Sequence, residues 1–217
     1  MNSLGSSITQ SFGFVAKVGE QCEALAQLIK QEVSASLLKP SLSSHLLPGK
    51  WSNRYREDAN GWVFSDAVWT LPLTPKAKKA EPLYLSIQLS IFNNNAEGGS
   101  IAEPLLHISC WESPVDHKED CYMGFPMEHM TAATLHQLAN GSARLFRWEA
   151  NKRQPDWWTY SVRLTDLNDV NDVRALITTP VAQLLEDVDA GEQMLHDLPR
   201  VIRYSPLAGR EHHYQAQ

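Results

Sequence analysis

Two short spacings place metal-capable side chains close together, His107-x-x-Cys110 and His117-x-x-x-Cys121. Thiolates and imidazoles paired in this way can close a tetrahedron around zinc. The first pair argues against such a site. Residues 105–112 alternate in the manner of a β-strand, and side chains three apart on a strand point to opposite faces. A three-ligand set of Cys110, His117 and Cys121, with Asp116 or Asp120 beside it, stays open. The expectation from the residues is nonetheless no bound metal and no cofactor. Cys110 or Cys121 could instead act as a nucleophile with His107 or His117 as its base. Neither cysteine opens a predicted helix, where the dipole would favour a thiolate.

Other chemistries lack their marks. The chain contains no phosphate-binding G-x-x-x-x-G-K-[ST], no dinucleotide G-x-G-x-x-G and no G-x-S-x-G nucleophile elbow. Gly98-Gly99-Ser100 reads as a hairpin-type loop. The acids on predicted strands, Asp66, Glu112 and Glu149, are not followed two residues later by the lysine that metal-dependent nucleases pair with them. Lys76, Lys78 and Lys79 form the one compact basic cluster, and a solvated loop tip explains it. His129, His136 and the His212-His213 pair read as surface or internally satisfied histidines.

With 19 Lys and Arg against 25 Asp and Glu among 217 residues, the net charge of −6 argues against phosphate backbones and anionic lipid as partners. Hydrophobic residues make up 43%, enough for a packed core without disulfide or metal support. Cys22, Cys110 and Cys121 are an odd, sparse set that suits a reducing cytoplasm. The sequence shows no secretory signal and no apolar run of membrane-spanning length, so the expectation is a cytoplasmic protein without membrane attachment.

The elements that must position these residues follow from periodicity. Residues 1–13 read as a flexible leader, 14–200 as one domain and 201–217 as a loose polar tail. Val15, Val18, Cys22, Leu25 and Ile29 recur at helical steps, which predicts a helix from Phe14 to about Leu38 laid on a core. After a loop at 39–50, strands are predicted at Gly61–Leu71, Leu83–Phe92 and Leu105–Glu112, joined as an antiparallel meander. A short helix at Thr131–Leu138 precedes a hairpin of Leu145–Glu149 with Trp157–Thr165. Asn168 or Asp169 caps a last helix that Pro180 kinks. The order α-βββ-α-ββ-α defines an α+β fold: a mostly antiparallel sheet of about five strands with helices on one face.

Alternation divides the strands into two faces. Leu106, Ile108, Cys110, Trp158, Tyr160, Val162 and Leu164 suit a helix-covered core. Tyr84, Ser86, Gln88 and Ser90, then His107, Ser109 and Trp111, then Trp157, Thr159, Ser161 and Arg163 suit the other side. The mixture of Tyr84, Gln88, His107, Trp111, Trp157 and Arg163 resembles a recognition surface in composition. It equally suits a satellite core tucked under loops.

The reading of function that follows is a non-catalytic protein-binding module, accessory, chaperone-like or inhibitor-like. It would use this sheet face or the N-terminal helix to hold another protein, with room for a homo-oligomer. One alternative is a hydrolase, in some versions metal-dependent, with a site around His107, Ser109, Asp116 and His117. The other is single-stranded nucleic acid stacked on the sheet, which the acidic balance opposes.

Overall fold

The computed structural model describes residues 4–58, 60–77, 80–91, 103–115, 131–140, 143–148, 156–206, 208 and 214–217. Its centre is a seven-stranded antiparallel sheet in the order β1-β3-β4-β5-β7-β6, with β2 also paired to β3. The strands are β1 (Leu46–Pro48), β2 (Ser52–Glu57), β3 (Phe64–Pro75), β4 (Leu83–Ser90), β5 (Leu105–Trp111), β6 (Leu145–Trp148) and β7 (Trp157–Arg163). The α+β class and the meander are as expected, and the sheet is larger. β2 was invisible to periodicity because Ser-Asn-Arg-Tyr-Arg-Glu has no apolar alternation and its side chains are almost all exposed. Only its ladder with Phe64–Thr70 makes it a strand. The predicted loop at 39–50 holds both β1 and a single helical turn, α2 (Pro40–Ser43).

One sheet face is covered by helices. Ile87, Ile108, Cys110, Trp158, Tyr160 and Val162 pack there against Ile29, Val33 and Leu37 of α1 (Leu4–Leu37) and against Leu176, Ile177, Val181 and Leu184. The last four belong to a continuous run of helix: α4 (Val170–Val173), a π-helical turn (Arg174–Thr178) and α5 (Thr179–Glu186). Asp169 caps its start by accepting from the Asn171 and Asp172 amides at 2.7 and 3.0 Å. Pro180 causes the irregularity. Lacking an N–H, it cannot donate to the Leu176 carbonyl four residues earlier. Tyr160 answers this from the sheet, its hydroxyl donating to Leu176 O at 3.0 Å. Tyr160→Phe keeps the packing and removes that donor, so a loss of about 1–2 kcal/mol is expected in denaturant melts. Unchanged stability would mean the carbonyl does not need the tyrosine.

α6 (Val188–Asp197) returns against α5, and the closest approach is at Gly191. A Cβ there would lie 2.6 Å from Leu184 side-chain carbons and 2.9 Å from its Cα, so only glycine fits this crossing.

The second face is also covered, which sequence periodicity did not settle. α3 (Ala132–Ala139) and the hairpin of β8 (Tyr204–Pro206) with β9 (Tyr214–Ala216) form part of its roof. Val68, Leu105, Trp111, Phe146, Trp148, Ile202, Tyr204 and Tyr214 make a second apolar core beneath them. Residues 201–206 and 214–216 are therefore integral to the fold, not a loose tail. Val201, Ile202, Tyr204 and Tyr214 are buried, and the Ile202 amide donates to Ser161 O at 2.9 Å. Arg144 holds the approach, donating to the carbonyls of Leu198 and Val201. The polar residues between these anchors hid them from a composition-based reading.

The other terminal boundary moves as well. α1 begins at Leu4, so residues 4–13, assigned to a flexible leader, are its first turns. Leu4, Ile8, Phe12, Val15 and Gly19 continue the stripe Cys22, Ala26, Ile29 and Val33 without a break in period.

Candidate functional site

Two regions gather side chains that could do something, and they differ in access. The first is the floor of the second core. Register places Tyr84 opposite Trp111, Ser86 opposite Ser109, Gln88 opposite His107, and His107 opposite Ser161. The face is thus assembled as periodicity implied, but it is roofed. Gln88, His107, Ser109 and Trp111 are buried, while Tyr84, Trp157 and Arg163 are half-buried. Of the two readings of this face, the satellite core fits Gln88, His107 and Trp111, while Tyr84, Trp157 and Arg163 stay part-exposed at its edge. Trp111 and Trp148 supply edge-to-face packing at 6.3 Å within it. Arg163 is engaged by Glu103 at 2.5 Å.

The polar side chains on this floor satisfy one another. Asp66, almost fully buried on β3, accepts from Arg56 Nε and Nη2 at 2.9 and 2.5 Å. Its other oxygen accepts from Ser90 Oγ at 2.6 Å and Gln88 Nε2 at 3.3 Å. Burying a carboxylate costs free energy unless it is paired and hydrogen-bonded, and here it is both. Next along the floor, Tyr204 donates to Ser161 Oγ at 2.9 Å, and Ser161 Oγ lies 2.7 Å from His107 Nδ1. Ser161 Oγ, with one proton and two lone pairs, can hold both neighbours at once. Nε2 has no hydrogen-bond partner among the described residues. Burial pushes the His107 pKa down to about 4, with the Asp66 carboxylate opposing in part, so the ring is neutral at pH 7.

This arrangement speaks to the catalytic readings. His107 and Ser109 share a face but are 0% and 3% exposed, so neither side chain is presented to solvent. Asp116, His117, Asp120, Cys121 and His129 lie outside the described residues, as do Gly98, Gly99, Ser100, Lys78 and Lys79. Cys110 points into the helix-covered core, away from His107, and burial pushes its thiol up to about 12, the opposite of an activated nucleophile. No group of three His, Cys, Asp or Glu side chains able to hold a metal occurs among the described residues. Lys76 donates to the Ser43 carbonyl at 2.7 Å, which makes it a tie between β3 and α2.

The second region is open. The C-terminal half of α1 is packed on the core, but its first four turns project with their apolar stripe uncovered: Leu4 is 80% exposed, Ile8 and Phe12 51%, and Val15 46%. Beside them stands the β2–β3 turn. There Asp58 accepts the amides of Trp62 and Val63 at 2.6 and 2.9 Å, and Gly61 takes the left-handed conformation at φ 69°. This turn presents Trp62, 69% exposed, against Phe12 at a ring separation of 5.8 Å. Between helix and turn runs a groove of about 500 Å³ lined by Phe14, Val15, Val18, Gly19, Trp62 and Phe64 among others. Its walls are almost wholly apolar, with Glu57 the one charged residue among the described residues that line it. Sequence reading missed the groove because Trp62 and Phe64 look like ordinary strand residues. The stripe from Leu4 to Val15 was a signal in the sequence, hidden by the serines and glycines between.

Compared with protein-family models, with curated proteins and with solved structures, the chain finds no match. No helix among the described residues is long and apolar enough to cross a membrane.

Proposed function

We propose that this is a non-catalytic protein-binding module whose contact surface is the projecting half of α1 together with Trp62 and Phe64. The observation that carries the reading is the exposed stripe Leu4, Ile8, Phe12 and Val15 beside an apolar groove. Contiguous apolar patches beyond a few hundred Å² are rare on proteins that act alone and mark interaction sites. The four aromatics Phe12, Phe14, Trp62 and Phe64 are each about half to two-thirds exposed. At roughly 150–250 Å² per aromatic side chain, the patch with Leu4, Ile8 and Val15 is on the order of 800 Å², the share one partner gives to a standard interface. A groove flanked by a helix suits an amphipathic helix laid along it, with anchors at helical spacing.

Phe12→Ser with Trp62→Ser tests this. Affinity purification of the wild type should recover a defined protein that the double variant loses by about tenfold or more, while the two melt alike. Equal recovery by both, or none by either from a wild type that also shows no self-association, would end the reading.

A further inference from the structure

The same face that offers the groove also offers what could fill it. We propose that the partner is a second copy of this chain, the projecting halves of the two α1 helices pairing antiparallel about a two-fold axis between Ser11 and Phe12. This deepens the protein-binding reading above and rests on it. A two-fold interface must be self-complementary, so that where residue i meets j, j meets i. Antiparallel pairing about that axis sets Leu4 opposite Gly19 and Ile8 opposite Val15, all four on the uncovered stripe. Leu4 is the most exposed large apolar residue of the helix, and Gly19 offers no side chain where Leu4 would enter.

Three further observations favour a second copy. Glycine inside a helix weakens it relative to alanine, yet nothing among the described residues requires Gly19: an added Cβ would meet none of their atoms within 4 Å. Met1 to Ala16 carry no charged side chain, and the first, Lys17, falls opposite Ser6 in the pair, so self-association sets no like charges together. Leu4 and Ile8 of one copy would reach the groove wall formed by Val15, Gly19, Trp62 and Phe64 of the other, burying on both sides the area estimated above. The groove is concave, which suits an inserted helix better than a lipid surface.

Sedimentation equilibrium on the full chain, from about 1 to 200 µM, the range of weak to moderate dimers, tests the proposal. The wild type should dimerise. Gly19→Leu, which fills the hole, should raise the dimer Kd about tenfold or more. The exchanged pair Leu4→Ala with Gly19→Leu moves the projection to the other side of the same contact and should return the Kd to within about threefold of wild type. Circular dichroism and denaturant melts check that each variant is folded. A monomeric wild type across the range overturns the proposal, as does a dimer indifferent to Gly19→Leu. If the wild type is monomeric but the Phe12→Ser, Trp62→Ser variant still loses a specific protein, the second copy is wrong and the binding face stands. If neither is seen, both fall. A monomer that floats with neutral phosphatidylcholine vesicles and ceases to after Ile8→Glu identifies a lipid surface and overturns it too.

Discussion

Trp111→Ala is expected to lose about 3–5 kcal/mol of folding stability, the range of large aromatic deletions from packed cores. Trp62→Ala is expected to lose less than about 1 kcal/mol. Both residues are tryptophans near sheet ends, and the sequence around them does not separate them. Trp111 is 5% exposed and lies edge-to-face on Trp148 beneath the roof. Trp62 is mostly solvated and touches Phe12. Val162→Ala, in the helix-covered core, serves as a reference at about 2 kcal/mol for the methyl groups removed. Guanidinium melts of the three variants decide the matter. A Trp111→Ala protein as stable as wild type would show that the second face is not a core, and would return Trp111 to the set of binding candidates. A large loss in Trp62→Ala would make the turn structural and weaken the case for the groove as a contact surface.

Acidification from about pH 6.5 to about pH 4 is expected to cost the fold about 3 kcal/mol through His107 alone. Its pKa falls from 6.5 to about 4 on burial, and each unit is worth about 1.4 kcal/mol. The sign follows from proton counting. The unfolded chain takes up the His107 proton near pH 6.5 and the folded chain only near pH 4, so between those values the unfolded state binds more protons and gains on the folded one. The stabilisation is complete above pH 6.5, and below about pH 4 His107 adds no further dependence. Asp58 and Asp172, held below the usual carboxylate range by hydrogen bonds from backbone amides and Arg200, act below that window, and Glu32, held down by Arg174 from an ordinary value of 4.5, enters only at its lower edge. His107→Gln removes the titration, so stability against pH should be flatter in this variant between 6.5 and 4. Parallel slopes for the two proteins would show that the ring is not held neutral inside the fold. Since Ser161 and Tyr204 form the chain of hydrogen bonds on Nδ1, the same transition is expected to loosen the contact between β7 and the β8–β9 hairpin first, which amide exchange at Ile202 would report.

What residue order alone determined here is everything that depends on local period. Alternation in Leu83–Ser90 and Leu105–Trp111 assigned each side chain to its face, and the observed register agrees from Tyr84 opposite Trp111 to Gln88 opposite His107. The three-residue spacing of His107 and Cys110 put them on opposite sides of the sheet. Asp169 as a cap and Pro180 as a disruption were legible because each acts on backbone groups within four residues of itself. Whether a face is covered is a different kind of fact. Ser161, Gln88 and His107 are small or polar, and such residues suit a wet surface as well as a satisfied interior; the choice depends on Tyr204, Arg144 and Arg56, which arrive from distant parts of the chain. The stripe on α1 carries the same lesson in reverse. Its period is uniform from Leu4 to Leu37, yet the sheet and the α4–α5 helix cover only its second half. Period shows that a helix has an apolar side, but only the tertiary structure decides how much of that side finds a partner within the chain, because burial depends on where the other elements end.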